Sequence, residues 1–169
     1  VLSFNSTDAT SETDIFRTLR RLIAEDKIRN REISAGDRYI LSDGVVIETL
    51  WPTSDFESKQ TNEESLVQIL RFGDFRALLT GDITFQILNS LTFQTPFQIF
   101  KLPHHGSKTG VDSLTLEKIR SYLGIISSGK NNSYHHPHPS VLNLLKKYNL
   151  PYKRTDKLGT IEIVTDGKN

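Results

Sequence analysis

The residues best suited to chemistry are the five histidines, which all lie between His104 and His138, downstream of a Thr-Gly-Asp turn that ends at Asp82. They form an adjacent pair and a later group of three: His104, His105, His135, His136 and His138. Imidazole and carboxylate groups without thiolates are donors for zinc, manganese or iron in hydrolytic sites. A shared carboxylate can bridge two such ions about 3.5–4 Å apart. The clustering therefore predicts a site for a metal or an anion.

Each residue of this group also has a structural interpretation. Asp82 stands just before a short helical pattern and could cap that helix. A single histidine is most often a hydrogen-bonded structural residue, but five histidines in one region favour the metal site. Adjacent side chains of an extended chain point to opposite sides, so His104 and His105 should not both bind the same ion. One of the two is expected to be the ligand, and the other a substrate contact or a partner of a ligand.

The elements around these residues predict an α/β fold. Asp82, the His104 pair and the His136 loop each follow a short apolar strand, and the carboxyl ends of such strands can meet at one edge of a sheet. A β meander comes first and β-α units follow, so half of the strands should be antiparallel and half should have helical crossovers. Strands are predicted at residues 31–34, 37–41, 45–50, 65–72, 75–79, 97–100, 123–127, 152–154 and 160–164, and helices from Ser11 or Thr13, at 85–91, from Asp112 or Ser113 to Tyr122, and at 140–148.

Length and composition limit the number of domains and the possible classes of function. A chain of 169 residues is the size of one domain. The formal charge of +1 gives no overall basic signature for nucleic acid, and the absence of cysteine excludes disulfides and thiolate ligands. No apolar run approaches the roughly 20 residues of a membrane helix, so a soluble domain is expected. The chain has no Met and begins in an apparent strand, which suggests a piece of a longer protein.

The ordered motifs from about residue 62 to residue 167 resemble the metallo-β-lactamase-fold domain of ComEC-type DNA-internalisation competence proteins. Each motif alone is weak, but their order and spacing are specific. The motifs are Leu78-Leu79-Thr80-Gly81-Asp82, Leu102-Pro103-His104-His105-Gly106-Ser107, Ile125-Ile126-Ser127 to Asn131-Asn132, His136-Pro137-His138-Pro139, and Arg154-Thr155-Asp156 with Gly159-Thr160-Ile161.

This resemblance implies an αββα metallo-β-lactamase-like sandwich that holds two divalent metal ions, zinc or manganese. Asp82 would be the bridging carboxylate and His105 a metal ligand. The family's first metal motif, His-x-His-x-Asp-His, does not occur in these 169 residues and is expected upstream of Val1. Residues 1–169 would then be a single partial domain whose amino-terminal part is missing. We expect this chain alone to bind metal poorly and to turn over little.

The resemblance also assigns residues around the metal site. His104 would face the substrate as a catalytic group, while His136 and His138 would lie at the rim and contact a phosphate or donate a proton. Three more residues are expected to contact the substrate: Asn62, Ser107 and His135. The family usually has glycine where this chain has His135, and its side chain could alter the loop.

The function that the resemblance implies is that of a metal-dependent hydrolase, a phosphodiesterase or nuclease acting on DNA during uptake in competence. The parent protein would be embedded in the membrane, with this domain at the extracytoplasmic face. Two alternatives stay open. The domain could be a small-molecule metallohydrolase resembling phosphocholine esterases or lactonases, or a non-catalytic binding module of the same fold.

Overall fold

The computed structural model describes residues 3–6, 14–56, 58 and 61–168. In chain order these residues form β1 (Ser3–Ser6), α1 (Asp14–Glu25), β2 (Arg29–Glu32), β3 (Arg38–Ile40), β4 (Val46–Trp51), β5 (Val67–Phe72), β6 (Phe75–Leu79), α2 (Phe85–Ser90), β7 (Phe97–Lys101), α3 (Ser113–Ile119), β8 (Ser121–Ile126), α4 (Pro139–Lys147), β9 (Tyr152–Arg154) and α5 (Thr155–Leu158). Short 3-10 turns lie at Ser42–Gly44, Thr61–Glu64 and Pro103–Gly106.

A mixed sheet of seven strands, in the order β3-β4-β5-β6-β7-β8-β9, is the centre of the fold. The first four strands are antiparallel neighbours, as expected for a meander. The last four run parallel. Helix α2 connects β6 to β7, α3 connects β7 to β8, and α4 connects β8 to β9. The predicted α/β class is therefore confirmed, including its division into an antiparallel half and a half with crossovers.

Both faces of the parallel half are apolar. One large buried cluster joins strand residues such as Leu78 and Phe100 to helix residues from α2, α3 and α4: Leu88, Leu116, Ile119, Val141 and Leu145. A smaller cluster on the other face contains Phe75, Ala77, Ile99 and Ile125. Strands buried on both faces are nearly continuous apolar runs, as β6 to β8 are in the sequence. This packing holds the carboxyl ends of the strands in fixed positions.

The start of α3 is fixed by Asp112 and not by Ser113. The Asp112 carboxylate accepts a hydrogen bond from the backbone N–H of Thr115 at 2.8 Å, and the Thr115 hydroxyl lies 3.4 Å from the Asp112 backbone N–H. Such a reciprocal pair satisfies two backbone donors that the helix start would leave unpaired. Helix α1 was also predicted correctly, although its predicted caps, Ser11 and Thr13, lie outside the described residues.

Three local predictions were wrong. The strand predicted at 31–34 is β2, which pairs in parallel with β1 in a separate two-stranded sheet and is not part of the meander. Tyr122 belongs to β8, because Arg120 adopts a left-handed conformation (φ 50°) that ends α3. Residues 160–164 form no strand: after α5 and Gly159 this segment packs Ile161 against the smaller apolar cluster, and the Gly167 carbonyl accepts from the Asp74 N–H at 2.6 Å. None of the helices in the described part of the chain has the length and apolarity needed to cross a membrane.

Candidate active site

The candidate site lies where β6, β7 and β8 end. These strands are parallel neighbours, so the loops that follow them leave the same edge of the sheet. Asp82 follows β6, the 3-10 turn with His104 and His105 follows β7, and Ser127 follows β8. Sequences far apart in the chain therefore supply one site, as the strand pattern predicted.

The turn that carries Asp82 is tied to both neighbouring segments. The buried Thr80 hydroxyl donates to the Lys101 carbonyl at 2.7 Å, and the His104 N–H donates to the Gly81 carbonyl at 3.1 Å. The Asp82 N–H donates to the Ser65 hydroxyl at 3.2 Å. Asp82 does not cap α2, whose N-cap residue is Thr84. The Asp82 carboxylate instead faces His105.

Asp82 and His105 form a facing pair of donors. His105 Nε2 lies 3.5 Å from Asp82 Oδ1, with the side chains 49 % and 38 % exposed, respectively. His105 Nδ1 lies 2.7 Å from the Ser127 carbonyl oxygen, which can only accept, so Nδ1 carries a proton. In the neutral ring, the lone pair of Nε2 then points towards the Asp82 carboxylate, so two acceptors face each other. A cation bound between His105 Nε2 and Asp82 Oδ1, or a proton on Nε2, would give both atoms a favourable partner.

His104 and His136 extend the site away from this pair. Asn62 Nδ2 lies 3.4 Å from His104 Nε2, and the ring centroids of His104 and His136 are 5.7 Å apart. The Nδ1 atoms of both rings are buried and have no hydrogen-bond partner in the described structure. Buried polar atoms without a partner are uncommon and mark places where function competes with stability. The 3.4 Å distance between Asn62 Nδ2 and His104 Nε2 places Asn62 beside the histidines, as its predicted contact with the substrate requires.

Burial is the main cause that lowers the pKa of His136. Positive charge on His104, His105 and His138 acts in the same direction, and the negative charge of Asp82 opposes it. His136 is therefore neutral at pH 7 and presents a ring N–H without a charge. This makes it better suited to contact a phosphate oxygen or accept a proton than to start the reaction as an imidazolium.

The other predicted site residues have different surroundings. His138 is the N-cap of α4, and its Nδ1 accepts from the backbone N–H of Ser140 at 3.2 Å and lies 2.7 Å from the Ser140 hydroxyl. Ser107 is buried and its hydroxyl lies 3.1 Å from the Thr109 hydroxyl. His135 is exposed and has a left-handed backbone (φ 56°). The structure thus joins Asn62 to the histidine cluster more closely than Ser107 or His135.

A partly buried ion pair supports the segment that orients His105, and the sequence reasoning missed it. Ser128 follows Ser127 and exchanges two hydrogen bonds with Thr155, donating from its N–H to the hydroxyl at 2.9 Å and accepting at its carbonyl at 2.8 Å. Arg154 holds Asp156 through two bonds of 2.9 and 2.7 Å, and the Ser128 hydroxyl donates to Asp156 at 3.3 Å. The Arg-Thr-Asp run was the available signal.

We expect Asp156→Asn to lower the free energy of unfolding by about 1–3 kcal/mol at pH 7. The amide keeps one acceptor oxygen, so Arg154 loses one of its two hydrogen bonds and the negative charge that it faces. The hydrogen bonds from Arg154 are the main reason that the pKa of Asp156 lies below its ordinary value of 3.8, while burial opposes them. With a folded pKa below the unfolded one, the stabilisation is complete above about pH 4 and is lost as the pH falls through the folded pKa. Urea unfolding at pH 7, 5 and 3 measures it, and a wild-type advantage that grows on acidification would contradict it.

Lys101 is a second residue that the sequence reasoning did not assign. It ends β7, and its Nζ donates to the Leu102 carbonyl at 2.9 Å. Burial lowers the pKa of Lys101, and the nearby negative charge of Asp82 acts against that shift. Lys101 therefore places a cation near Asp82 on the sheet side of the site.

The described residues include two donors of the types that metal ions bind. Asp82 and His105 have the right donor types, and the Ser127 carbonyl orients the imidazole as an outer partner of a metal-bound histidine does. No cluster of three or more histidine and acidic side chains suited to a metal ion occurs among residues 3–6, 14–56, 58 and 61–168. A zinc or manganese ion normally takes more than two protein ligands in a catalytic site. The residues fit a metal ion in donor chemistry and fall short in number.

The known proteins that are similar to this chain in sequence are competence and recombination proteins. No protein-family model matches the chain. It is 32 % identical over 141 residues to ComE operon protein 3 of Bacillus subtilis, covering 82 % of this chain and 18 % of that protein. Competence protein ComA of Neisseria gonorrhoeae is 31 % identical over 124 residues, 71 % of this chain and 18 % of that protein. Recombination protein 2 of Haemophilus influenzae is 30 % identical over 109 residues, 63 % of this chain and 14 % of that protein.

A solved structure shares the fold. A Parabacteroides distasonis protein assigned as a metal-dependent hydrolase superposes with a TM-score of 0.55 at 12 % identity, covering 91 % of this chain and 64 % of that one. This likeness shows the fold alone, which is an α/β domain with a mixed sheet of seven strands. The sequence relatives are ComEC-type competence proteins, and the chain is similar to one segment of each. It spans less than a fifth of the length of these relatives.

Proposed function

We propose that this chain is part of a metal-dependent phosphodiesterase or nuclease domain that acts on DNA during competence. The observation that carries the proposal is the pair formed by His105 Nε2 and Asp82 Oδ1 at 3.5 Å, with His105 Nδ1 held by the Ser127 carbonyl. This arrangement presents a lone pair and a carboxylate oxygen to the same point, as two ligands of one cation do. The competence proteins among its relatives support DNA as the substrate.

Two donors alone would bind a divalent ion weakly. We therefore propose that the remaining ligands lie elsewhere in the full-length protein, in a first metal motif of the type His-x-His-x-Asp-His. With two zinc or manganese ions bound, such a site acidifies water and polarises a phosphoryl group. Activity is proposed for the full-length protein and not for these 169 residues by themselves. Residues 1–169 would then be one portion of a larger domain.

The residues of this chain would have distinct roles in binding the ion and the substrate. Asp82 and His105 would hold and orient the ion, and Ser127 would keep His105 in the required tautomer. His104, positioned by Asn62, would contact a non-bridging phosphate oxygen, and the neutral His136 would donate its ring N–H to another. Lys101 would add positive charge beneath Asp82, which favours the charge that develops on the phosphoryl oxygens. His138 would keep the rim loop joined to α4, and this capping role comes in addition to any contact with substrate.

The similarity to competence proteins also supports a proposal about location. We propose that the parent protein is embedded in the membrane and that this domain works at its extracytoplasmic face. DNA on its way into the cell would reach the open edge of the sheet there. Labelling of an engineered cysteine at exposed position Lys108 with an impermeant reagent on whole cells would test the side of the membrane.

The test of function is a substrate panel with the purified full-length protein. We expect hydrolysis of single-stranded DNA and of a simple phosphodiester in the presence of Mn²⁺ or Zn²⁺, and loss of both activities on chelation. Rates on a lactone and on a phosphocholine ester should stay near background. Restoration of DNA hydrolysis on adding the metal back shows that chelation did not unfold the protein.

Two outcomes would replace the proposal. Hydrolysis of the lactone or the choline ester in preference to DNA would make the domain a small-molecule metallohydrolase. DNA binding without metal-dependent hydrolysis would make it a binding module of the same fold. The panel separates these alternatives in one set of measurements.

A further inference from the structure

Four aromatic side chains form a row that starts at the proposed metal ligands. The ring centroids of His105 and His104 are 6.3 Å apart, those of His104 and His136 5.7 Å, and those of His136 and Tyr134 5.9 Å. The first three rings belong to the candidate site. Tyr134 was not assigned any role and lies at the outer end of the row.

Tyr134 is presented in an unusual way for a tyrosine. Its ring is stacked on His136 with an interplanar angle of only 20°, while its side chain is 79 % exposed. An exposed large aromatic ring adds little to a protein core. Because the two rings are nearly parallel but offset, with centroids 5.9 Å apart, and most of Tyr134 is in solvent, the tyrosine ring is available to a planar ligand.

The loop that carries Tyr134 is held in place without secondary structure. Asn132 donates from its side chain to the Gly129 carbonyl at 2.9 Å and to the His136 carbonyl at 2.7 Å. The same side chain accepts from the His136 N–H at 2.9 Å. A loop fixed at both ends loses less conformational entropy when a ligand binds. This loop therefore keeps the ring in a constant position relative to the site.

We propose that Tyr134 is a stacking platform for a nucleobase of the single strand whose phosphodiester lies at Asp82 and His105. The proposal rests on the proposed function and makes its substrate more specific. Every base has a flat face, so stacking on tyrosine binds single strands with little sequence preference and contributes about 1–3 kcal/mol per base. Bases inside a duplex are covered by their neighbours. The platform therefore selects single-stranded over double-stranded DNA.

Charge near the platform suits the same ligand. Lys130 is exposed in the Tyr134 loop, and Lys108 is exposed just after the His104–His105 turn. The whole chain has a formal charge of only +1, so contacts with phosphates would depend on individual lysines such as these. Lysines that contact phosphates would supply affinity that does not depend on the base and falls with salt. Base stacking and phosphate contacts can thus be measured separately.

The experiment compares two labelled strands of equal length, an oligothymidylate and an abasic strand, by fluorescence anisotropy. The full-length protein is used with a chelator present, so that no strand is cleaved. Wild type should bind the oligothymidylate about tenfold more tightly than the abasic strand, which corresponds to about 1.4 kcal/mol. Tyr134→Ala should remove this difference by weakening only the oligothymidylate, and Tyr134→Phe should keep it.

Tyr122→Ala is the matched control. Tyr122 is also an exposed tyrosine, at 63 %, but it lies near the amino end of β8, away from the edge where Ser127 follows the strand. This variant should bind both strands as wild type does. Melting curves of the variants show whether any loss of binding comes from unfolding.

Several results would overturn the stacking proposal. Equal wild-type affinity for the two strands, no binding of either strand, or an equal loss for both in Tyr134→Ala would each do so. Tyr134-dependent binding of a choline ester, with both strands bound alike, would show a site for a quaternary ammonium group instead. Because the assay is done without cleavage, its failure is separate from the failure of the proposed hydrolysis, which the substrate panel measures.

Discussion

Replacing Asp82 by Asn in the full-length protein is expected to lower kcat/KM for phosphodiester hydrolysis by at least about 10³-fold, or about 4 kcal/mol. The amide keeps the size of the side chain and leaves the bond from the Asp82 N–H to Ser65 intact. It removes the negative charge that faces His105 Nε2 at 3.5 Å. An ion would then lose its anionic ligand, and Lys101 would lose the charge that lies near it.

His105→Ala should have a similar effect, and the double variant should be little worse than either single one. Residues that act as one unit are strongly non-additive, because the first substitution already disables the unit. Initial rates on a chromogenic phosphodiester and on single-stranded DNA, with metal in excess, measure all three variants.

The control for Asp82→Asn is Asp74→Asn. Asp74 lies in the turn between β5 and β6, at the other end of β6 from Asp82. Its substitution should leave the rate unchanged. The free energy of unfolding should change by less than about 1 kcal/mol in Asp82→Asn, since the pair with His105 is largely exposed. If Asp82→Asn kept a tenth or more of the wild-type rate, Asp82 would not be a metal ligand.

The parts of the fold that sequence patterns predicted are those with regular periodicity. The β6, β7 and β8 segments are short apolar runs, and their order with the intervening helices required parallel neighbours with converging carboxyl ends. Asp82 and the His104 pair were found for the same reason, since they directly follow such runs. The fold class and the proximity of Asp82 to His105 were therefore accessible without coordinates, whereas the roles of these residues stay a prediction.

The remaining features depend on contacts that periodicity does not contain. The short polar strand β2 pairs with β1 and not with the meander, and this pairing depends on tertiary contacts. Residues 160–164 have strand composition, but they form no strand and place Ile161 against the smaller apolar cluster instead. Strand propensity reflects packing on a half-buried surface, so apolar residues can pack there without pairing in the sheet.

The same limit applies to the site. The rim position that the resemblance implies for His138 stays a prediction, and the sequence did not show that its Nδ1 is engaged at the start of α4. Tyr134 and Lys101 were not assigned because an exposed tyrosine and a strand-end lysine are common in any sequence. Their significance comes from the ring beneath Tyr134 and from the burial of Lys101 near Asp82. These relations exist only in three dimensions.

Gly106→Ala is expected to destabilise the protein by about 2–5 kcal/mol and to separate the two histidine loops. Gly106 has a φ of +80°, which costs an L residue roughly 1–2 kcal/mol. A Cβ atom there would lie 2.6 Å from Pro137 Cβ and 3.2 Å from Pro137 Cα, so part of the crowding comes from backbone. Overpacking of this kind costs about 1–3 kcal/mol more. Urea unfolding measures the total.

Gly36→Ala separates the two contributions. Gly36 has a φ of +95°, and a Cβ atom there would meet nothing within 4 Å, so only the conformational cost applies. The additional loss in Gly106→Ala then measures how tightly the His104–His105 turn is packed against Pro137. The Gly106 carbonyl also accepts from the His138 N–H at 2.9 Å, so movement of this turn changes the position of the His136 loop. Equal losses in the two variants would show that the loops are not packed closely enough for Gly106 to set the distance between His104 and His136.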